Sequence, residues 1–230
     1  MTRLTGQERI TYVQDMFTRI ARRYDLMNRL MTGGQDIRWR RLVIQLARLS
    51  RNASVLDIGT GTGDLAREAL AQFPQARVIA SDFTLEMMRV GQSKGRLNFS
   101  SADALRLPFR DACFDAVVSG FLMRNVIDLQ KALQEQHRVL KRGGRIVILD
   151  TTRPKKNLLS PLIWLHMHVV IPLVGRLLTS SGDAYRYLPE STEGFVTAEN
   201  LAARMAALGF KRLHYQRFMF GTIAIHWGEK

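Results

Sequence analysis

The 230-residue sequence contains a single cysteine, Cys113. One cysteine excludes an internal disulfide and any metal site built from several cysteines. Cys113 stands beside Phe114 at the start of an apolar run, where a free cysteine is expected to behave as a small core residue. We therefore predict no disulfide framework and no metal centre, and the composition is compatible with a reducing, cytoplasmic compartment.

Acidic residues are scarce relative to basic ones. The sequence has 20 Asp and Glu against 34 Lys and Arg, which gives a formal net charge of +14 and a pI of about 10.8. Such an excess favours anionic partners, either nucleic acid or an acidic membrane surface. The basic residues are spread along the chain and are not interleaved with aromatics as in RNA-binding modules. We therefore expect no nucleic-acid partner, with solvated helical faces as the plainer explanation of the charge.

No uninterrupted apolar run reaches the length of a membrane span. The most apolar stretch, residues 158–178, is interrupted by two prolines, two histidines and an arginine, whereas a spanning helix needs about 20 predominantly apolar residues. Two interpretations stay open, namely buried cap helices and a membrane-facing surface. The first 17 residues also lack the apolar core and cleavage site of a signal peptide.

The first 50 residues are predicted to form helices. An amphipathic helix is indicated by apolar residues that recur at helical spacing, and these are Ile10, Val13, Phe17, Ile20 and Tyr24. The pair Gly33-Gly34 breaks the helical pattern, and Asp36 is a plausible N-cap for a second helix.

Strands and helices then alternate between residues 51 and 150. Strands are predicted at 54–58, 77–81, 97–102, 114–119 and 145–149, with helices at 64–73, 85–93 and 129–140. This alternation predicts a parallel sheet covered on both faces and right-handed crossovers, which is a doubly wound Rossmann-like α/β fold. A helix at 197–208 and strands at 212–218 and 222–227 predict an antiparallel C-terminal hairpin around Gly221.

We therefore expect one domain with four regions. They are N-terminal helices at 1–50, a cofactor-binding core at 51–150, an inserted apolar helical cap at 155–195, and a C-terminal helix and hairpin at 196–230.

A glycine-rich loop, DIGTGTG at residues 57–63, follows the first predicted strand. Its three glycines allow the backbone to approach a ligand closely at the carboxyl edge of the sheet. A dinucleotide fingerprint requires a further glycine at position 64, where the chain has Asp64. The following helix N-terminus favours a negative group such as the carboxylate of S-adenosylmethionine. Asp57 is expected to accept that cofactor's ammonium group or to organise the loop.

Two further strand ends carry acidic residues. Asp82 closes the second predicted strand, where a carboxylate can accept hydrogen bonds from both ribose hydroxyls. Asp103 and Ala104 follow the third strand and can hold the adenine. The order of these features resembles class I S-adenosylmethionine-dependent methyltransferases. The predicted cofactor-binding residues are Asp57, Gly59, Thr60, Gly61, Thr62, Gly63, Asp82, Phe83, Asp103, Ala104 and Gly120.

Longer motifs are more specific. The opening VQDMFTRIARRYDLMNRLMTGGQDIRWR, the segments LPF at 107–109 and RN at 124–125, and the block YRYL at 185–188 followed by Glu190-Ser191 resemble the UbiE/COQ5/MenG methyltransferases. The resemblance covers nearly the whole chain. It implies S-adenosylmethionine-dependent methylation of a ring carbon in a reduced ubiquinone or menaquinone precursor.

The resemblance also implies residue roles. Thr62, Asp82, Asp103 and Ala104 fall on cofactor-binding positions of the family, and Gly120 falls on a serine, so its contact can only be made by backbone. Further departures lie nearby: Leu122 stands where the family has a glycine, and Asp150-Thr151-Thr152-Arg153-Pro154 stands where the family usually has Glu-Phe before Lys-Pro.

The predicted catalytic residues are Arg124, Asn125 and Tyr185. Arg124 is expected to stabilise a phenolate or to orient a proton-accepting water, because a guanidinium stays charged and is a poor base. Asn125 and Tyr185 are expected to hold ring oxygens. Asp150 and Tyr187 are further candidates for that role, His166 and His168 are candidate bases near the cap, and Tyr24, Asp25 and Asn28 are expected to order the N-terminal helices over the cofactor.

The implied partner is a polyprenyl quinol, whose tail accounts for the apolar segment. We also expect peripheral contact with a membrane surface. The sequence leaves open a homodimer and the choice between a benzoquinol and a naphthoquinol. Two alternatives remain: a class I methyltransferase that acts on RNA, protein or another small molecule, and a non-catalytic accessory subunit that binds S-adenosylmethionine or quinone.

Overall fold

A computed structural model describes residues 6–153, 160–170 and 182–230. Its described part contains a seven-stranded sheet with the order β3-β2-β1-β4-β5-β7-β6. The strands are β1 Ser54–Ile58, β2 Arg77–Asp82, β3 Asn98–Ser101, β4 Phe114–Gly120, β5 Leu140–Thr151, β6 Lys211–Phe218 and β7 Ile223–Glu229. Strands β1 to β5 pair in parallel, while β7 pairs antiparallel to both β5 and β6. The predicted α/β sheet and its C-terminal hairpin are confirmed.

Helices flank the sheet on both faces. They are α1 Gly6–Ile20, α2 Tyr24–Met31, α3 Gln35–Ala47, α4 Asp64–Gln72, α5 Leu85–Ser93, α6 Leu129–Val139, α7 Ser160–Leu165, α8 Gly182–Gly194 and α9 Ala198–Ala207. A π-helical turn, His166–Val170, continues α7.

The two faces of the sheet bury separate hydrophobic clusters because successive side chains of a strand point to opposite sides. Val55 of β1 belongs to the cluster that contains Ile44 of α3 and Ala69 of α4. Its neighbour Leu56 belongs to the other cluster, with Leu133 of α6 and Leu201 of α9. A central parallel strand buried on both faces fits the continuous apolar pattern of β1.

The N-terminal region contains three helices instead of the expected two. A 3₁₀ turn, Ala21–Arg23, separates α1 from α2. The N-cap prediction for Asp36 is wrong, because Gly34 holds that position at φ 75°. Asp36 lies in the first turn of α3, where a carboxylate is favoured by the helix dipole, and its buried side chain forms ion pairs with Arg29 and Arg40.

The Gly143-Gly144 pair does not stop α6 as predicted. The helix ends at Val139, and β5 begins at the next residue, so both glycines lie within β5. Gly143 has φ 74° and donates a backbone hydrogen bond to the carbonyl of Lys230 at 2.8 Å. Both glycines thus lie where the pairing of β5 with β4 shifts register, between the Phe114–Leu140 and Ala116–Arg145 pairs.

The described part of the apolar cap has an exposed face. Four large side chains of α7 and the π-helical turn are between 41% and 57% exposed: Trp164, Leu165, Val169 and Val170. This exposure favours the surface-facing interpretation of these residues over burial. Residues 154–159 and 171–181 of the predicted segment lie outside the described residues. Among the helices that are described, none combines the length and apolarity required to cross a bilayer.

Candidate active site

The candidate site lies where the chain order of the sheet reverses. Strand β1 is flanked by β2 on one side and β4 on the other, so the loops at their carboxyl ends diverge and leave a crevice. A cavity of about 130 Å³ opens there. It is lined by residues of α1, the glycine-rich loop, the end of β2, the loop after β3 and the segment after β4. A smaller cavity of about 20 Å³ adjoins the glycine-rich loop.

Asp57 organises the glycine-rich loop. Its Oδ2 atom accepts hydrogen bonds from the Thr60 hydroxyl at 2.5 Å and the Ala66 amide at 3.0 Å. The Thr60 amide donates to the carbonyl of Ser81 at 2.9 Å, which ties the loop to β2. Gly59 has φ 66°, a left-handed conformation that glycine adopts without strain.

The other carboxylate oxygen of Asp57 accepts no hydrogen bond from the described residues. This atom, Oδ1, is buried. Burial raises the pKa of Asp57 to about 7, and the charge of Asp82 adds to this effect. The hydrogen bonds from Thr60 and Ala66 oppose the rise. A buried acceptor without a partner is costly, so this oxygen is available for a donor on a ligand.

Asp82 presents its carboxylate at the edge of the larger cavity. Oδ2 accepts the Gly61 amide at 2.7 Å, and Oδ1 accepts the Thr84 amide at 2.7 Å. Burial raises the pKa of Asp82, while these backbone donors lower it. The two backbone bonds fix the orientation of the carboxylate and leave further lone pairs for a ligand's hydroxyl groups.

The loop after β3 supplies the next wall of the cavity. Asp103 and Ala104 both line it, and Asp103 Oδ1 accepts the Leu105 amide at 2.9 Å. Phe83, also on the cavity wall, is 43% exposed. The structure thus brings the predicted nucleoside-binding residues to one cavity.

Helix α1 closes that cavity. Ile10, Val13, Phe17 and, just beyond the helix, Tyr24 line it directly. The resemblance suggested that the N-terminal helices cover the cofactor, but the periodicity of the apolar stripe alone did not indicate which surface the stripe faces. Two of these residues, Phe17 and Tyr24, pack edge to face at 5.7 Å between ring centroids.

Side-chain contacts hold the N-terminal helices to the loop. The Thr62 hydroxyl donates to Asp25 Oδ1 at 2.7 Å, and the Asp25 carboxylate also pairs with Lys94, which follows α5. Thr62, predicted to contact the cofactor, therefore also contacts the N-terminal helices. Asp25 thus connects α2 to the loop, and its expected role in ordering the helices over the cofactor stays a prediction.

The segment after β4 approaches the glycine-rich loop closely. Phe121 is buried at φ 60°, a strained conformation for a side chain of this size that is commonly found at functional sites. A Cβ atom placed on Gly59 would lie 2.7 Å from Cδ1 of Leu122, and one on Gly120 would lie 3.1 Å from Cδ1 of Leu65. Leu122 therefore fills the space above Gly59, and a Cβ atom at position 120 would require only a small shift of the Leu65 side chain.

Arg124 lies beneath the cavity wall and is 8% exposed. Its Nη1 donates to Asp150 Oδ1 at 2.7 Å, and its backbone amide faces Asp150 Oδ2 at 3.2 Å. It is not among the residues that line either cavity. Its predicted catalytic role stays a prediction.

Asn125 does line the larger cavity. Its Nδ2 donates to the carbonyl of Phe121 at 2.9 Å, and the Tyr187 hydroxyl donates to its Oδ1 at 3.1 Å. This pair connects the cavity wall to helix α8 and fixes the orientation of the amide.

Three further predicted residues belong to the cap or to the helix that follows it. Tyr185 belongs to α8 and His166 to the π-helical turn, but their side chains lie outside the described residues. The ring of His168 contacts the carbonyl of Trp164 at 3.1 Å and Glu193 Oε1 at 3.2 Å. His168 lines neither cavity, which removes the geometric support for a role as base. In the described part of the chain, no three His, Cys, Asp or Glu residues are grouped to hold a metal ion.

Sequence reasoning missed Arg40. This residue of α3 lines the smaller cavity together with Asp57 and Thr62. It belongs to the WR pair that closes the opening motif, so the sequence contained the residue but no indication of its direction.

Comparisons with known proteins identify the family and the fold. The profile of the ubiE/COQ5 methyltransferase family matches residues 3–230. The chain is 46% identical to the ubiquinone/menaquinone biosynthesis C-methyltransferase UbiE of Desulfotalea psychrophila, covering 95% of this chain and 90% of that protein. It is 43% identical to the demethylmenaquinone methyltransferase of Thermus thermophilus, covering 94% and 100%. The fold is also similar to a solved structure from Thermotoga maritima, described as an S-adenosylmethionine-dependent methyltransferase and possible histamine N-methyltransferase. The TM-score is 0.63 at 18% identity, and the match covers 94% of this chain and 99% of that chain. At that identity it shows the fold alone.

Proposed function

The chain belongs to the ubiE/COQ5 methyltransferase family, and we propose that it methylates a ring carbon of a reduced, polyprenylated quinone precursor. S-adenosylmethionine is the methyl donor of this reaction. The two relatives named above are quinone-pathway methyltransferases by name. Their names favour a quinone acceptor over the RNA or protein acceptor that the basic charge left open, and an enzyme over an accessory subunit.

One observation carries the proposal. The same cavity is lined by the carboxylates of Asp82 and Asp103 and by the apolar side chains of Ile10, Val13 and Phe17. Carboxylates at the strand ends suit a nucleoside, while the apolar wall from α1 suits an unsaturated ring with an isoprenoid tail. A cavity with both linings supports the meeting of a polar cofactor and an apolar acceptor.

The residues present fit the cofactor. The bare Oδ1 of Asp57 offers an acceptor for an ammonium group, and the left-handed Gly59 and Gly61 let the loop backbone approach a ligand. Asp82 would bind the ribose hydroxyls, and Asp103 with Ala104 would bind the adenine. When bound, S-adenosylmethionine supplies an electrophilic methyl group.

The acceptor side of the site is built around Asn125. This residue lines the cavity, and its amide is oriented by Tyr187 and Phe121, so we assign it to hold a ring oxygen and align the ring carbon. Arg124 cannot act as a base, because its guanidinium stays protonated. Its pairing with Asp150 braces the turn that carries Asn125, which makes it a positioning residue. Tyr185 stays a candidate for the same ring.

Methyl transfer to defined acceptors tests the function. Labelled S-adenosylmethionine is supplied with a reduced demethylated naphthoquinol and, separately, with the benzoquinol, both in detergent. We expect label on a ring carbon of at least one quinol, and loss of label in Asp82→Ala and Asn125→Ala variants. Binding of S-adenosylhomocysteine is measured in parallel. If the protein binds that product but methylates neither ring, the quinone acceptor is wrong.

We further propose that the protein contacts anionic membranes through the exposed face of the cap. The residues that support this are Trp164, Leu165, Val169 and Val170, and the net charge of +14 suits an acidic lipid surface. A polyprenyl acceptor resides in the bilayer, so a contact near the cap shortens its path to the enzyme.

Vesicle sedimentation tests this contact. Vesicles with and without anionic lipid are mixed with the wild type and with a Trp164→Ser/Val169→Ser variant. Leu26→Ser/Leu30→Ser removes two comparably exposed apolar residues of α2 and is the matched control. We expect only the cap variant to lose sedimentation with anionic vesicles. If the control loses it and the cap variant retains it, the contact lies on α2 instead.

A further inference from the structure

Arg40 occupies an unusual position for a charged residue. It belongs to α3, is only 7% exposed and lines the smaller cavity beside the glycine-rich loop. Burial of a charge is costly unless the charge is paired. The partners of its guanidinium therefore indicate whether the residue serves the fold or binds a ligand.

The two ends of the guanidinium are held unequally, by a hydrogen bond to Asp36 at one end and only by a longer ion pair with Asp64 at the other. Nη1 donates to the buried carboxylate of Asp36, one helical turn away, and Asp36 also faces Arg29 at 3.4 Å. Nη2 faces Asp64 Oδ2 at 3.6 Å, which is beyond hydrogen-bond distance. Asp36 therefore fixes the direction of the guanidinium, while Nη2 has room for a closer anion.

The same cavity also presents a bare carboxylate oxygen. Asp57 lines it, and Thr60 and Ala66 use only Oδ2, so Oδ1 has no partner in the described structure. A fixed guanidinium and an unpartnered carboxylate oxygen in one small cavity match an amino-acid zwitterion, which carries a carboxylate and an ammonium group on the same carbon atom.

We propose that Arg40 binds the α-carboxylate of the cofactor's amino-acid end, and that this contact makes the enzyme select nucleosides that carry the carboxylate. The proposal rests on S-adenosylmethionine as the cofactor of the proposed function. Arg40 acts here as a cofactor-binding residue, and Asp36 acts through it as a positioning residue.

Three nucleosides separate the contributions. S-adenosylhomocysteine carries the carboxylate and the ammonium, its decarboxylated analogue carries only the ammonium, and 5′-methylthioadenosine carries neither. Their dissociation constants are measured by calorimetry without any quinone. In Arg40→Gln we expect S-adenosylhomocysteine to bind about 10- to 100-fold more weakly, with the other two nucleosides within about 2-fold of their wild-type values. Arg41→Gln, whose side chain is 61% exposed, is the matched control and is expected to change none of them.

Two results would overturn the proposal. One is an Arg40→Gln variant that keeps the wild-type preference for the carboxylate-bearing nucleoside. The other is an equal weakening of all three nucleosides, because Arg40 would then support the fold and not the carboxylate. Should Arg40→Gln fail to fold, Arg40→Lys decides. A reduced preference for the carboxylate-bearing nucleoside, with unchanged methylthioadenosine binding, supports the proposal, while an unchanged preference contradicts it.

Failure of the proposed function looks different. If the wild type binds none of the three nucleosides, the cofactor assignment itself is wrong. If the wild type binds them with the expected preference but methylates no quinol, the acceptor is wrong and the role of Arg40 stands.

Discussion

The hydroxyl of Thr62 donates a 2.7 Å hydrogen bond to Asp25, which lies 37 positions earlier in the chain. Asp25 also pairs with Lys94 beyond α5. One carboxylate thus joins the glycine-rich loop, the start of α2 and the end of α5. Because α1 and Tyr24 form the roof of the cavity, this carboxylate connects the roof to the loop that would hold the cofactor.

Asp25→Ala should weaken S-adenosylhomocysteine binding by about 10-fold. The substitution leaves Thr62 and Lys94 without their common acceptor, and a hydrogen bond to a charged group contributes roughly 1.5 to 3 kcal/mol. Calorimetry measures the effect. The control is Asp15→Ala, which removes the same charge from an exposed position on α1. Equal affinities for both variants would show that the connection does not support the site.

The Arg124–Asp150 pair predicts a separation of stability from activity. Arg124→Met should lower the free energy of unfolding by about 3 kcal/mol, because it leaves a buried carboxylate unpaired. Asp150→Asn should do likewise, and the double variant Arg124→Met/Asp150→Leu should recover most of the loss. We expect activity to stay low in all three, since the turn that carries Asn125 loses its brace. Urea unfolding and methyl-transfer rates are the measurements. Full activity in the double variant would mean that the pair does not position the turn.

Tyr187→Phe should reduce kcat several-fold and leave S-adenosylhomocysteine affinity unchanged. The substitution removes only the hydroxyl that orients the Asn125 amide, while the ring contact between Tyr187 and Tyr12 is retained. Steady-state kinetics with a reduced quinol and product binding by calorimetry distinguish the two quantities. A loss confined to cofactor affinity would place Asn125 on the cofactor and not on the acceptor.

Asp57 predicts a pH dependence of the cofactor-free protein. Its pKa in the folded state, about 7, lies above the ordinary value of 3.8, so the folded state binds more protons than the unfolded state between these values. Stability contributed by this group is therefore present below about pH 4 and is lost as pH rises toward 7. Compared with Asp57→Asn, the wild type should lose up to about 4 kcal/mol over this interval. Urea midpoints from pH 4 to 8 measure this difference, and parallel curves for the two proteins would contradict the raised pKa.

The strands that form the base of the site were predictable from the sequence. The bounds of β1 and α5 agree with the prediction. A short apolar run before a glycine-rich loop and a helical run flanked by turn residues both restrict where the element can begin and end. Asp82 and Asp103 follow strands that end at one edge of the sheet, so their proximity to the loop could be expected as well.

Contacts between distant helices could not be predicted in the same way. Periodicity indicates that α1 has an apolar face but not which surface that face covers, and it assigns no partner to Asp25 or Arg40. Both side chains reach the glycine-rich loop only because α2 and α3 pack beside it. Local sequence signals were also insufficient to place the start of α3. Asp36 was the expected N-cap, but Gly34 adopts a left-handed conformation at that position, so the helix begins two residues earlier.

Because α1 covers the cavity, ligand binding should change the rate at which a protease cleaves the chain near this helix. Three exposed arginines lie at the junction of α1 and α2, Arg19 in the last turn of α1 and Arg22 and Arg23 in the 3₁₀ turn. Trypsin reaches such bonds when the chain opens locally. A ligand that contacts the roof lowers the population of the open form. Saturating S-adenosylhomocysteine should therefore slow cleavage at these arginines, and the rate at which the intact band disappears from a gel reports binding without a label or an acceptor.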